Sequence, residues 1–141
     1  MLKLVLDTDV IVAAMRSPAG ASSAILQAVV RKKVVVAASV ALAMEYQAVC
    51  GRAEHVLASG LSEQEARVYV QTVISLMEPI STYFFWRPQL NDPNDEMVLE
   101  AAVNGNVAAL VTFNKKHYGM MPLRFGLAVW SPSEAIRRIE Q

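Results

Sequence analysis

Short apolar runs alternate along the chain with longer segments whose apolar residues recur at helical spacing. The runs are rich in strand-forming residues and predict strands over residues 2–6, 34–38, 80–86, 107–112 and 127–130. The longer segments predict helices over residues 9–15, 21–31, 39–50, 62–77 and 95–104, with a last helix after Ser131. Strands that alternate with helices indicate an α/β domain with a mainly parallel sheet of four to five strands.

Capping signals fix several of the helix ends. Ser39 suits the N-cap of the third helix, and Gly51 suits its end. Ser62 and Ser131 each precede a glutamate by three residues, which is the pattern of a capping box. Pro79 is expected to end the helix that begins at Ser62, and residues 115–125 are expected to be irregular.

Composition narrows the class of protein. Of the 141 residues, 54% are hydrophobic and only 18% are charged, which excludes a disordered chain. No repeat, linker or low-complexity tract interrupts the sequence, so residues 1–141 are expected to form one domain. Thirteen basic and thirteen acidic residues give a net charge of zero. Any contact with nucleic acid must therefore depend on local patches and not on bulk attraction.

Cysteine and histidine are scarce. Cys50 has no partner for an internal disulfide, which is typical of a reducing compartment. One cysteine and two histidines also exclude a zinc cluster. The sequence has no recognisable signal peptide, and its apolar stretches are too short for a bilayer span, so we expect a cytoplasmic protein with no membrane segment.

Acidic and polar residues follow the predicted strands at the points where each strand ends. The carboxyl ends of parallel strands share one edge of a sheet, which is where such folds bind ligands. The residues concerned are Asp7 and Asp9 after the first strand, Glu45 in the helix after the second, Asp92, Asp95 and Glu96 after the third, and Thr112 and Asn114 after the fourth. Four separate segments therefore direct oxygen atoms to one edge.

Each of these residues also has a simpler interpretation. Asp7, Asp9 and Asp95 could be helix caps, Glu45 an exposed helical residue, and Asn114 a turn residue. Taken together, converging carboxylates repel one another unless a cation lies between them, and Mg²⁺ prefers oxygen ligands. Such a site suits metal-assisted hydrolysis of a phosphodiester. The sequence contains no glycine-rich phosphate loop and no nucleophile elbow that would indicate another chemistry.

Four segments together resemble a PIN domain, and specifically the VapC-like ribonuclease toxins of type II toxin–antitoxin pairs. The segments are LVLDTDV at 4–10, residues 39–46 with Glu45, DPNDE at 92–96 leading to Ala101 and Ala102, and LVTFN at 110–114. The resemblance extends from residue 2 to about residue 131. It implies a three-layer α/β/α fold and a metal-dependent endoribonuclease that cleaves single-stranded RNA.

The resemblance also implies roles for individual residues. Asp7, Glu45 and Asp95 correspond to an acidic site for Mg²⁺ or Mn²⁺, and Asn114 stands where the family often has a fourth acid. Asp9 stands where the family commonly has asparagine. The catalytic set is thus Asp7, Glu45, Asp95 and Asn114, with Thr8, Asp9, Asp92 and Thr112 in support.

Partners and alternatives follow. Candidate contacts to RNA phosphates are Arg16, Lys115 and Lys116, with Arg52 as a further candidate. Helices 21–31 and 40–49 are apolar on more than one side, which suits a homodimer face or a groove for a cognate antitoxin, although burial in the core explains much of this apolar surface.

Asn114 also permits a second function, that of a binding protein that has lost catalysis. A receiver-like or small-ligand α/β domain is disfavoured, because the sequence has no obvious phosphoacceptor aspartate at the end of the central strand together with a lysine partner.

Overall fold

Five parallel strands form the sheet in the computed structural model, which describes residues 1–81, 90 and 92–141. The strands are β1 (Lys3–Leu6), β2 (Val35–Ser39), β3 (Glu78–Ile80), β4 (Ala109–Val111) and β5 (Ala128–Trp130). Their order is β3-β2-β1-β4-β5, and all four pairings are parallel. The sheet is flanked by helices in three layers, so the predicted α/β/α architecture is confirmed.

Eight α-helices accompany the described strands. They are α1 (Thr8–Arg16), α2 (Ala21–Val30), α3 (Val40–Cys50), α4 (Ala53–Ser59), α5 (Glu63–Ser75), α6 (Pro93–Asn104), α7 (Met121–Arg124) and α8 (Pro132–Ile139). The capping predictions are confirmed, because Ser39 caps α3 and full capping boxes open α5 and α8 at Ser62 and Ser131. None of the helices in the described parts of the chain is long and apolar enough to cross a membrane.

Three regions differ from the sequence predictions, and one of them is α4, which lies where no element was predicted. The helix after Ser62 ends at Ser75, and Pro79 lies inside β3 instead of ending a helix. A proline is tolerated there because β3 is the edge strand of the described sheet, with β2 on one side and no described strand on the other. The predicted third strand overlaps β3 only at Ile80, and its continuation over 82–86 lies outside the described residues, as do 87–89 and 91. The segment predicted as irregular contains α7 and a 3₁₀ turn, Lys115–His117.

The centre of the sheet fixes the position of the functional edge. Strands β1 and β4 pair with each other and have neighbours on both sides. Leu4, Val5 and Leu6 of β1 are fully buried, as are Leu110 and Val111 of β4. Asp7 follows β1 directly and Thr112 follows β4 directly, so both side chains are attached to the most rigid part of the core.

Candidate active site

Asp7 lies at the carboxyl end of β1, and its carboxylate is held by two hydroxyl groups. Its Oδ2 accepts hydrogen bonds from Thr112 Oγ1 at 2.8 Å and from Tyr118 OH at 3.0 Å. The residue occupies the N-cap position of α1, yet its side chain makes no capping hydrogen bond. Helix capping therefore does not explain this carboxylate, which is only 8% exposed.

Asp9 connects the first turn of α1 to the end of β4. Its Oδ2 accepts from Phe113 N at 3.1 Å, from Asn114 Nδ2 at 3.0 Å and from Thr112 Oγ1 at 3.3 Å. Burial and the charge of Asp7 raise the pKa of Asp9 to about 6, although these hydrogen bonds act in the opposite direction. Asn114 thus serves as a donor to the acidic cluster and is more than a turn residue.

Asp95 and Asp92 have different roles at the start of α6. Asp92 is the N-cap, and its Oδ1 accepts from Asn94 N at 2.8 Å. Asp95 is buried in the first turn, and its Oδ2 lies 3.4 Å from His117 Nδ1. Burial, followed by the charges of Asp7 and Asp92, raises the pKa of Asp95, whereas His117 lowers it. Asp95 is therefore electrostatically coupled to Asp7.

Helix α3 brings Glu45 to the same edge. The Ser39 hydroxyl accepts from Leu42 N at 3.1 Å and starts the helix directly after β2. The buried Tyr46 hydroxyl donates to the carbonyl oxygen of Leu6, which ties α3 to the residue before Asp7. Glu45, beside Tyr46, is half-buried and lines the cleft.

One cleft of about 570 Å³ collects most of the predicted residues. Its lining includes Asp7, Thr8, Asp9, Arg16, Glu45, Arg52, Asp92, Asp95 and Asn114. Thr112 lies beneath it, fully buried and bonded to Asp7. Lys115 and Lys116 are exposed and are not part of the lining, and the ammonium group of Lys115 pairs with Glu134 on α8.

Sequence reasoning did not identify two residues of the site. Tyr118 is fully buried and donates to Asp7, and His117 contacts Asp95. Both belong to the segment that was predicted to be irregular, where no periodicity marks a buried side. The one signal in the sequence was the presence of a tyrosine four residues after Asn114. A buried tyrosine hydroxyl usually has a hydrogen-bond partner, so this tyrosine could have been considered as a donor to the acids.

The donor chemistry fits a hard divalent cation. The available groups are carboxylate and hydroxyl oxygens, and two buried ones, Asp9 Oδ1 and Thr8 Oγ1, have no hydrogen-bond partner among the residues that the structure describes. Among the described residues, no three histidine, cysteine, aspartate or glutamate side chains are close enough together to hold one metal ion. Mg²⁺ commonly uses only one or two carboxylates and completes its shell with waters and substrate phosphate. Asp7 and Asp95, with Asp9 beside them, are the residues that would hold it.

The comparisons agree with this geometry. The family model described as "PIN domain" matches residues 3–116, which include β1 to β4 and every acidic residue of the cleft. No curated protein and no solved structure matches the chain. The matched region is well over half of the sequence. The chain therefore belongs to the PIN-domain family, whose members are generally metal-dependent nucleases.

Proposed function

We propose that this protein is a metal-dependent endoribonuclease that cleaves single-stranded RNA. The observation that carries the proposal is the coupled set of carboxylates in the cleft. Burial, and after it the charge of Asp7, raises the pKa of both Asp9 and Asp95, so these acids repel one another when all are ionised. A divalent cation relieves such repulsion, and its positive charge also suits a phosphodiester substrate.

The side chains divide the chemistry as follows. Asp7 and Asp95 bind the ion, and Glu45 binds it or orients the attacking water. Asn114 donates to Asp9 and has a second amide hydrogen for a phosphate oxygen. Mg²⁺ or Mn²⁺, when bound, lowers the pKa of a water and neutralises charge that develops on the phosphate. Thr112 and Tyr118 keep Asp7 oriented through two hydrogen bonds.

The contacts to RNA differ between the predicted bases. Arg16 lines the cleft at the end of α1 remote from Asp9, where it can reach a phosphate of a bound strand. Lys115 must leave Glu134 to bind RNA, and Lys116 lies on the exposed turn beside it. We therefore assign Arg16 the main role and the two lysines a peripheral one.

The biological role we propose is that of a toxin restrained by an antitoxin protein. The resemblance to VapC-like toxins supports this assignment. Exposed apolar side chains on α3 and α4 support a protein partner, because Val40, Met44 and Leu57 are 75%, 63% and 84% exposed. We propose that the exposed surface of α3 binds a second copy of the chain, and that the antitoxin binds elsewhere on the protein.

The direct test is cleavage of a labelled single-stranded RNA with Mg²⁺, with Mn²⁺ and with EDTA. The wild-type protein is expected to cut with either metal and not with EDTA. Asp7→Asn and Asp95→Asn are expected to lower the rate at least about 100-fold, because loss of a ligand costs more than the roughly 10–100-fold that follows loss of a group supporting a ligand. Glu140→Gln, an exposed acid near the C-terminus, is the control and keeps full activity. Equal cleavage by Asp7→Asn and wild type would refute the site assignment.

Asn114 supports a second candidate function, that of a PIN-fold protein that binds RNA or protein without cleaving. Replacement of a family acid by an amide removes one charge from the site. Calorimetric titration with Mn²⁺ separates the two candidates. Heat of binding that is lost in Asp7→Asn favours the nuclease, and a folded wild-type protein that binds no divalent ion favours the second candidate.

A further inference from the structure

The two helices that border the cleft present the same order of side chains along it. Helix α1 contributes Asp9, Val12, Ala13 and Arg16 to the lining, at the spacing of one helical face. Helix α3 and the turn after it contribute Glu45, Val49 and Arg52. Both series run from an acid through apolar residues to a base, and α1 packs against α3. The cleft thus has an acidic end, an apolar middle and a basic end.

The basic end contains two guanidinium groups with no acidic partner. Over residues 1–81, 90 and 92–141, neither Arg16 nor Arg52 forms a salt bridge. Arg16 Nη1 lies 3.4 Å from His55 Nδ1. A guanidinium only donates, so Nδ1 of His55 accepts and the ring proton belongs on Nε2, which lies 3.8 Å from Glu54 Oε1. His55 therefore positions Arg16 at the cleft.

The distance between the acidic and basic ends of the cleft determines how long a ligand must be to contact both. Arg16 is seven positions after Asp9 on α1, which is a helical rise of about 10 Å. A stacked nucleic-acid strand carries one phosphate per roughly 3.4 Å of its axis, so about three nucleotides span that distance. The group that binds at Arg16 is then a different phosphate from the one beside the acids. The apolar middle, with Val12 and Val49, suits the sugar and base faces between them.

We propose that Arg16 and Arg52 form a subsite for a non-scissile phosphate of a single-stranded polynucleotide, with His55 as a positioning residue. The inference rests on the proposed nuclease function and deepens it. It makes an oligonucleotide chain the substrate, because a mononucleotide or a single phosphodiester cannot occupy both ends of the cleft.

Binding measured without cleavage tests the subsite. The full chain carrying Asp7→Asn, which removes cleavage and one charge of the acidic end, is titrated with a fluorescent single-stranded RNA octamer in EDTA while NaCl is varied. Adding Arg16→Met or Arg52→Met keeps the apolar stem and removes the charge. Each is expected to reduce the slope of log affinity against log salt, and the two together to reduce it by about 0.7, which is the loss of one single-strand phosphate contact. Lys33→Met, at the opposite edge of the sheet, is expected to leave the slope unchanged.

Cleavage kinetics of variants that retain Asp7 test the subsite separately from the proposed nuclease function. Arg16→Met is expected to raise KM for the octamer with kcat unchanged, and to leave KM for a dinucleotide at the wild-type value. Unchanged salt slopes in both arginine variants, with wild-type RNA cleavage, would overturn the subsite alone. A KM for the dinucleotide that rises as much as that for the octamer would also overturn it, because Arg16 would then contact the scissile phosphate. Altered slopes without any RNA cleavage by the wild type would support the subsite and refute the nuclease.

Discussion

The hydroxyl of Tyr118 is one of two groups that hold the Asp7 carboxylate, and its removal tests how firmly that acid is fixed. Burial and the neighbouring carboxylates raise the pKa of Tyr118 well above its ordinary value, so the hydroxyl remains a donor. Tyr118→Phe removes a hydrogen bond to a charged group and is expected to reduce the free energy of unfolding by about 1.5–3 kcal/mol, measured with urea.

Tyr69→Phe is the matched control for this loss. Its hydroxyl makes no hydrogen bond to any residue that the structure describes, so the same substitution is expected to change stability by less than about 0.5 kcal/mol. Equal losses in the two variants would show that the contact to Asp7 contributes nothing specific.

The raised pKa of Asp9 gives the folded protein a particular dependence on pH. An aspartate in an unfolded chain titrates near 3.9, whereas Asp9 in the fold has a pKa of about 6. Between these values the folded state binds the extra proton, so the contribution of Asp9 is largest below pH 4 and is lost as pH rises to about 6. In EDTA, wild type is therefore expected to lose stability relative to Asp9→Asn from pH 4 to 6. Parallel curves for the two proteins would contradict the assignment.

Individual site residues were predictable where they follow strands and unpredictable where tertiary contacts define them. Asp7, Asp9, Asp95 and Asn114 could be placed together because parallel strands end at one edge. The roles of His117 and Tyr118 depend on how the 3₁₀ turn after Asn114 brings them to Asp95 and Asp7, which no local pattern encodes. The distinction between Asp92 as cap and Asp95 as site residue likewise required the hydrogen bond from Asn94.

At the scale of elements, the start of α3 couples helix formation to the site. Ser39 is buried, and its hydroxyl caps α3 by accepting from Leu42 N. Ser39→Ala is expected to cost about 1 kcal/mol in urea unfolding, since the substitution removes an N-cap. Ser22 is equally buried, but its hydroxyl has no partner within the described structure, so Ser22→Ala is expected to be neutral or stabilising. Comparable losses of stability in Ser39→Ala and Ser22→Ala would contradict the assignment of Ser39 as a stabilising N-cap.

Elements with strong end signals were predictable, and those without them were not. The capping boxes at Ser62 and Ser131 located α5 and α8 because each supplies two reciprocal hydrogen bonds. Helix α4 has no side-chain cap and only seven residues, so its stability comes from packing against α1, α3 and α5. Strand β3 was misplaced because Pro79 indicates a break everywhere except at a sheet edge.

At the scale of the whole molecule, we propose that the outer face of α3 binds a second copy of the chain. Val40, Met44 and Ala48 are exposed and lie one turn apart, which forms an apolar stripe. Light scattering is expected to give the mass of a dimer for wild type and of a monomer for Met44→Lys. Leu57→Lys, on α4, is the control and is expected to remain dimeric. A monomeric wild type at high concentration would refute the dimer.

The zero net charge conceals a strong local imbalance. Five of the thirteen acids line the cleft, together with only two arginines. The acids are Asp7, Asp9, Glu45, Asp92 and Asp95. Without a bound cation, the acidic end of the cleft repels phosphate. A bound cation removes this repulsion. We therefore expect binding of RNA to depend on the protein–cation complex more than on the chain alone.

This coupling predicts that divalent ions stabilise the whole fold in a pH-dependent way. An ion that binds only the folded state adds about 1.4 kcal/mol at a concentration ten times its Kd. Protons compete for the same oxygens, because Asp9 has a pKa of about 6 and that of Asp95 is also raised. The rise in Tm with Mn²⁺ is thus expected to be larger at pH 7.5 than at pH 5, and absent in Asp7→Asn. NaCl at equal ionic strength is the control, and an equal shift with NaCl would exclude a specific site.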